Sequence, residues 1–247
     1  MLQAFVFDVD GTLADTEQAH LAAFNHAFEQ EGMGWHWDTA LYTQLLEISG
    51  GKERMWHHWQ QVQPGVKDIG GGVQDILQRL HDIKTAAYES AVNSGLVEMR
   101  PGVLRLMDEA LRAGIGLAIA TTTSAVNIAA LLRTAIGADW RTHFLAVGDA
   151  NTAPVKKPHP QVYVQVLGAM ALPPSACLAF EDSGNGLAAA TAAGLQTVIT
   201  PTGFTRHHDF SAALRQVPDL SHVTLAHLRA WHDEGLRSPR RAAAPRG

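Results

Sequence analysis

Nearly uninterrupted apolar runs at residues 4–9, 116–120, 144–147, 177–180 and 197–200 alternate with longer stretches in which apolar residues recur every three or four positions. Short runs of Phe, Val, Ile, Leu and Ala predict strands covered on both faces, as in a parallel sheet. Each intervening stretch is amphipathic or Ala-rich and long enough for a crossover helix. The rhythm therefore predicts an α/β fold built on a doubly wound parallel sheet.

After the first run the rhythm changes. Between residues 15 and 98 only helical periods appear: His20, Leu21, Phe24 and Phe28 form one stripe, and Val73, Ile76, Leu77, Leu80, Ala87, Tyr88 and Ala91 another. An all-helical insert is expected at 15–98, with Arg100, Pro101 and Gly102 punctuating the return to a core made of 1–14 and 99–236. Residues 237–247 are rich in Arg, Ala and Pro without apolar periodicity, the composition of a disordered tail.

Composition narrows the partners. The chain has 247 residues, 46% of them hydrophobic, enough for one α/β domain and a smaller accessory one. A formal charge of −5, without a basic stripe, argues against nucleic acid and anionic membranes and for a small-molecule partner. Cys177 is the one cysteine, so no intramolecular disulfide can form. Met1 and Leu2 lead straight into the first run, and no apolar stretch approaches the ~18 residues of a membrane span. A cytoplasmic monomer is expected.

Asp8 and Asp10 close the first run in the string DVDGT. Ligands in such folds bind at the carboxyl ends of the strands. A carboxylate there can attack a phosphoryl group and split one hard displacement into two, which suits Asp8. A second carboxylate two residues on can protonate the leaving alkoxide and later deprotonate water, which suits Asp10 if it spends time protonated. Acids facing a phosphate need a hard cation with oxygen ligands, so Mg2+ is expected, with Asp8, Asp10 and Asp182 converging on it and Glu181 holding it through water or orienting its ligands. Thr121 follows the second run, and its hydroxyl and the adjacent amides of Thr122 and Thr123 can face anionic oxygens. Lys157, in the string KKPHP, offers the offsetting charge, with Lys156 the weaker choice.

Taken in order, DVDGT, Thr121, Lys157 with Pro158, and Glu181 with Asp182 resemble the four motifs of the haloacid dehalogenase (HAD) superfamily, a match that runs to about residue 210. That resemblance implies a HAD-like Rossmannoid core, magnesium and an aspartyl-phosphate route. The insert resembles the C1 cap shared by phosphoglycolate phosphatases, β-phosphoglucomutases and CbbY proteins. The strings at Trp35, Ser49, Thr121 and Thr205 are most similar to the CbbY family, which implies dephosphorylation of xylulose 1,5-bisphosphate, an inhibitory by-product in carbon-fixing cells, to xylulose 5-phosphate.

Within the insert, Gly50 and Gly51 allow close backbone approach, and Lys52 and Arg54 supply the cations a second phosphate needs. Glu17 and His20 share a helix at i,i+3 spacing and are expected to meet sugar hydroxyls. Tyr42 could add a phenol contact. Lys84 sits on the apolar stripe, where the resemblance to the mutase branch implies a phosphate contact. Adjacent histidines at His57/His58 and His207/His208 are expected to point apart and make poor chelates. Gln161 stands where many relatives carry an acid, an exchange expected to loosen the loop presenting Lys157. A phosphomutase, a phosphoglycolate phosphatase and a noncatalytic binding module on the same scaffold are the competing readings.

Overall fold

The computed structural model describes residues 1–68 and 71–237. In chain order the elements are β1 (Ala4–Phe7), α1 (Glu17–Gln30), α2 (Thr39–Leu45), α3 (Gly51–Val62), α4 (Gly72–Asn93), α5 (Val103–Arg112), β2 (Gly116–Ala120), α6 (Ala125–Ile136), β3 (Phe144–Gly148), α7 (Gln161–Met170), β4 (Cys177–Glu181), α8 (Gly184–Ala192), β5 (Gln196–Ile199), β6 (Arg215–Gln216) and α9 (Leu225–Arg237). The strands form one six-stranded sheet in the order β3-β2-β1-β4-β5-β6, with every pairing parallel. The first five match the apolar runs. β6 is two residues long and carries no apolar run, so nothing in the hydrophobic pattern announced it.

Alternation along β1 sorts its side chains by size. Phe5 and Phe7 enter one face with Leu117, Ile119, Leu178 and Phe180, under α5, α6 and α9. Ala4 and Val6 enter the other with Ala118, Ala120 and Ala179, under α7 and α8. On the aromatic face Phe180 stacks on Phe7 at 4.6 Å and meets Phe5 edge-on at 5.1 Å. Small residues on the opposite face let the Ala-rich helix α8 approach closely.

Helices α1–α4 share a separate apolar cluster that includes Phe24, Phe28, Trp37, Tyr42, Met55, Trp59, Leu77 and Leu80. Every apolar member of the two expected stripes is buried or half-buried. The chain enters and leaves this layer side by side: Asp15 N donates to Glu98 O at 3.0 Å, and Arg100 N donates to Leu13 O at 2.8 Å. Arg100 then locks the crossing. Its buried guanidinium donates to the carbonyls of Gly11 and Thr200, to Thr200 Oγ1 at 2.9 Å, and to the carbonyls of Pro201 and Pro218 at 3.1 Å each.

α9 runs through Arg237, so the first residue of the expected tail is helical, and 238–247 lie outside the described residues. Among the described residues, no helix is long and apolar enough to cross a membrane.

Gly102 sits beneath the 218–221 segment with φ +83°, where an added Cβ would collide with the Leu220 backbone. Both the positive φ and the close approach demand glycine there. Gly102→Ala is therefore expected to destabilise the chain by about 3 kcal/mol in urea denaturation. A loss under about 0.5 kcal/mol, the range of an uninvolved surface change, would show that the segment yields.

Candidate active site

The strand order reverses between β1 and β4, which opens a crevice at their carboxyl ends. Asp8 follows β1, Thr121 follows β2, and Glu181 and Asp182 stand at the end of β4. The sequence therefore delivers three acids and a hydroxyl to one edge because the crossovers are all parallel. Lys157 arrives from the loop before α7.

Lys157 ties these strand ends together. Nζ donates to Asp8 Oδ1 at 2.6 Å, to Glu181 Oε1 at 2.6 Å and to Ala120 O at 2.9 Å. An ammonium has three donors, so all are used. Lys156 donates instead to Ala150 O at 2.7 Å on the cavity rim. The loop is held, contrary to the expected loosening, because Gln161 Oε1 accepts from Val155 N at 2.8 Å.

Asp8, Glu181 and Asp182 are buried, and one ligand atom from each lies within 4.8 Å of the others. Burial holds the Asp8 carboxyl above the ordinary carboxylate range despite Lys157, with Glu181 and Asp10 adding to the rise. Asp182 is likewise raised by burial and then by Asp8 and Glu181. One cation is not enough for three buried acids, and Glu181 Oε2 is buried without a partner. An all-oxygen donor set with surplus negative charge fits a hard divalent cation. Gly11 makes the approach possible: at φ +74°, a Cβ there would collide with Asp182 Oδ2.

Asp10 belongs to a different network. His20 Nε2 lies 2.9 Å from Asp10 Oδ1, and Lys84 Nζ lies 2.9 Å from His20 Nδ1. A lysine ammonium only donates, so Nδ1 accepts, and the imidazole proton sits on Nε2, facing Asp10. Tyr88 stacks on the ring at 4.1 Å and fixes its plane. Burial opposes ionisation of Asp10, but His20, with Lys84 behind it, brings its pKa down to about 2. Burial pulls Lys84 down to about 8. The expectation that Asp10 itself stores a proton is thus revised: in this arrangement the nearest proton is on His20. Lys84, read from sequence as a phosphate contact, spends its charge on that imidazole.

A cavity of about 580 Å³ opens above these groups. Asp8, Asp10, Glu17, His20, Gly50, Gly51, Lys52, Arg54, Lys84, Thr121, Thr122, Thr123, Lys157 and Asp182 all line it. Glu181 lies behind Lys157, and Tyr42 lies behind Glu17. The Tyr42 phenol is fully buried and donates to Glu17 Oε2 at 2.6 Å, so it orients that carboxylate and has no free hydroxyl for a ligand. Arg54 is partly committed too, donating to Leu45 O at 3.0 Å and to Tyr42 Oη at 3.3 Å. Lys52 is freer, with Gln78 Oε1 at 2.8 Å in an exposed setting.

Sequence reasoning missed several groups. Tyr163 donates to Glu181 Oε1 at 2.5 Å, but a tyrosine in an apolar helical stripe reads as core. His81 lines the cavity, and burial, then Lys84 and Lys52, lowers it to about 4. Asn185, three residues past Asp182, donates to Glu47 O at 2.9 Å and so ties the helical layer to the acid loop. The histidine pair was also misjudged. His207 and His208 converge on Glu47 Oε1, at 3.6 and 3.0 Å. His208 Nδ1 accepts from Gly184 N at 3.0 Å, which leaves its proton on Nε2 toward Glu47. Glu47, His207 and His208 thus bring one potential ligand atom each within 4.8 Å of one another, so adjacency did not drive the two rings apart.

The sequence model of the haloacid dehalogenase-like hydrolases matches residues 2–194. Protein CbbY of Cupriavidus necator is 50% identical over 247 residues, covering 94% of this chain and 97% of the relative. The crystal structure of CbbY from Rhodobacter sphaeroides with phosphate superposes with a TM-score of 0.83 at 39% identity, covering 93% of this chain and all (100%) of the other. A mutant of the same protein, in complex with xylulose-(1,5)bisphosphate, superposes with a TM-score of 0.83 at 39% identity over 92% of this chain and 99% of the other.

The Asp10 carboxyl, lowered to about 2, contributes stability that is present in full above its ordinary 3.8 and is lost as pH falls through about 2. His20→Asn removes the proton-bearing ring and is expected to move that titration above pH 4, read from the Asp10 side-chain carbon shift by NMR. An unmoved titration would show that His20 does not set the charge on Asp10.

Proposed function

Since the chain belongs to the haloacid dehalogenase-like hydrolases, we propose that it is a magnesium-dependent phosphatase that removes one phosphate from xylulose 1,5-bisphosphate, leaving xylulose 5-phosphate, by way of an aspartyl-phosphate on Asp8. The observation that carries this reading is Lys157 bridging Asp8 and Glu181 at the floor of a cavity whose rim bears Lys52 and Arg54. A bisphosphate needs cations at both ends, and both ends have them. The complex of the related Rhodobacter sphaeroides protein with that bisphosphate supports the choice of sugar.

Asp8 presents an oxygen to the phosphorus, and Lys157 holds that carboxylate in one rotamer. Thr121 and the backbone beside it face the transferring oxygens, with Thr122 and Thr123 completing the loop. Asp8, Asp182 and Glu181 would hold Mg2+, with Asp10 beside them, and the bound ion would supply charge neutralisation for the phosphoryl oxygens. Asp10 with His20 delivers a proton to the leaving sugar oxygen and then takes one from water, the two residues sharing the proton along their 2.9 Å contact.

Residues 15–98 act as a cap over the core. Lys52, Arg54 and the backbone of Gly50 and Gly51 take the distal phosphate, and Glu17, held by Tyr42, orients sugar hydroxyls. The Lys84–His20–Asp10 chain also suits a phosphomutase, which must keep water from its phosphorylated aspartate. The two activities differ in product, since only hydrolysis releases inorganic phosphate in bulk.

Phosphate release is to be compared on xylulose 1,5-bisphosphate, ribulose 1,5-bisphosphate, phosphoglycolate and glucose phosphates, each with Mg2+. The first is expected to give the highest kcat/KM. Lys52→Ala should raise KM for it about tenfold, and by less than about twofold for a generic monophosphate. Equal losses on both would remove the distal-phosphate role, and isomerised sugar phosphate with little free phosphate would favour the mutase.

A further inference from the structure

Tyr163 on α7 is fully buried, does not line the cavity and takes no part in the proposed chemistry. It belongs to the buried apolar cluster that includes Val162, Val166, Leu167 and Ala179, where a phenylalanine would fit as well. A phenol in such a cluster is costly unless its hydroxyl is paired. The pairing is specific: Tyr163 Oη donates to Glu181 Oε1 at 2.5 Å, the oxygen that also takes Lys157 Nζ at 2.6 Å. Nζ lies 5.1 Å from the centre of the same ring.

The torsion that turns a glutamate carboxylate is soft, so a single donor leaves its plane free to swing. Two donors converging on Oε1 from different elements, one on α7 and one from the loop before it, fix that plane. Glu181 Oε2 then stands buried and unpartnered beside Gly186, where any side chain would collide with the carboxylate. One carboxylate oxygen of Glu181 lies within 4.8 Å of one oxygen each of the neighbouring acids, Asp8 and Asp182.

We infer that Tyr163 is a positioning residue that fixes the Glu181 carboxylate and thereby sets how tightly the Asp8–Glu181–Asp182 cluster takes a divalent cation. The inference rests on the proposed reading of that cluster as a magnesium site. Tyr163 touches neither the cation nor the substrate in this account. Its effect passes through one oxygen of Glu181.

The test uses the full chain, with Mg2+ affinity measured by titration calorimetry and thermal melts recorded in EDTA and in Mg2+. Tyr163→Phe, which deletes only the hydroxyl, is expected to melt cooperatively in EDTA and to bind Mg2+ about tenfold more weakly, the usual loss when a ligand's orienting partner is removed. The Mg2+ concentration for half-activation should rise in parallel, with kcat at saturating Mg2+ within about threefold of the parent. Tyr163→Leu, lacking ring and hydroxyl together, should lose a similar factor in Mg2+ affinity. Wild-type Mg2+ affinity in Tyr163→Phe, with loss only in Tyr163→Leu, would assign the residue to packing and overturn the inference. So would the absence of a cooperative melt for Tyr163→Phe in EDTA. If the parent chain itself binds no Mg2+, the metal-dependent reading falls and this inference falls with it, whereas failure of Tyr163→Phe alone leaves that reading intact.

Discussion

One ammonium holds the site together. Lys157 reaches three strand ends at once, through Asp8 after β1, Ala120 in β2 and Glu181 in β4, and it is as buried as the acids it joins. Taking these ions out of water costs several kcal/mol each, and the network recovers that cost only with every donor used. The network is therefore better understood as a device for placing charge than as a source of stability. It leaves a deliberate deficit, three carboxylates against one cation, and the deficit is what a divalent ion and then a phosphate can relieve. Burial holds the Asp8 carboxyl raised, and Glu181 and Asp10 add to the rise, so added positive charge beside it would favour its ionised form.

The helical layer is connected to that chemistry by polar contacts as well as by shape. Lys84 on α4 and His20 on α1 set the charge of Asp10 on the core. Asn185 and His208 on the core meet Glu47, which leads by way of Ser49 into the Gly50–Gly51–Lys52 segment. Both sets of contacts exist only while the helical layer lies over the crevice. A layer that moved away would break the His20–Asp10 contact and carry Lys52 from the crevice together, so under the proposed function enclosure and acid–base chemistry would be linked through the same few residues.

Much of this was legible in the sequence because it depends on local pattern. Five solid apolar runs mark five of the strands, and the acids at the ends of the first and fourth, with the hydroxyl after the second, fall where parallel strands deliver ligands. What was not legible depends on contacts between distant segments. Tyr42 and Tyr163 carry the same apolar signature as core residues, and only the fold shows that each phenol is aimed at a carboxylate, Glu17 in one case and Glu181 in the other. The adjacent histidines at 207 and 208 were expected to diverge, yet the loop after β5 turns both toward Glu47. Asp10 was read as the acid/base on condition that it spends time protonated. Its lowered pKa comes from a histidine ten positions away, so the proposed role falls to the pair and not to Asp10 alone.

The account depends on Asp8 being the atom donor that meets phosphorus. The most direct test is a rapid acid quench during turnover on xylulose 1,5-bisphosphate with Mg2+, followed by peptide mass spectrometry. The predicted result is a transient phosphoryl adduct on the peptide containing Asp8, localised to that side chain and discharged by water. Full turnover with no adduct at Asp8 at any quench time, or with the adduct on another residue, would contradict it.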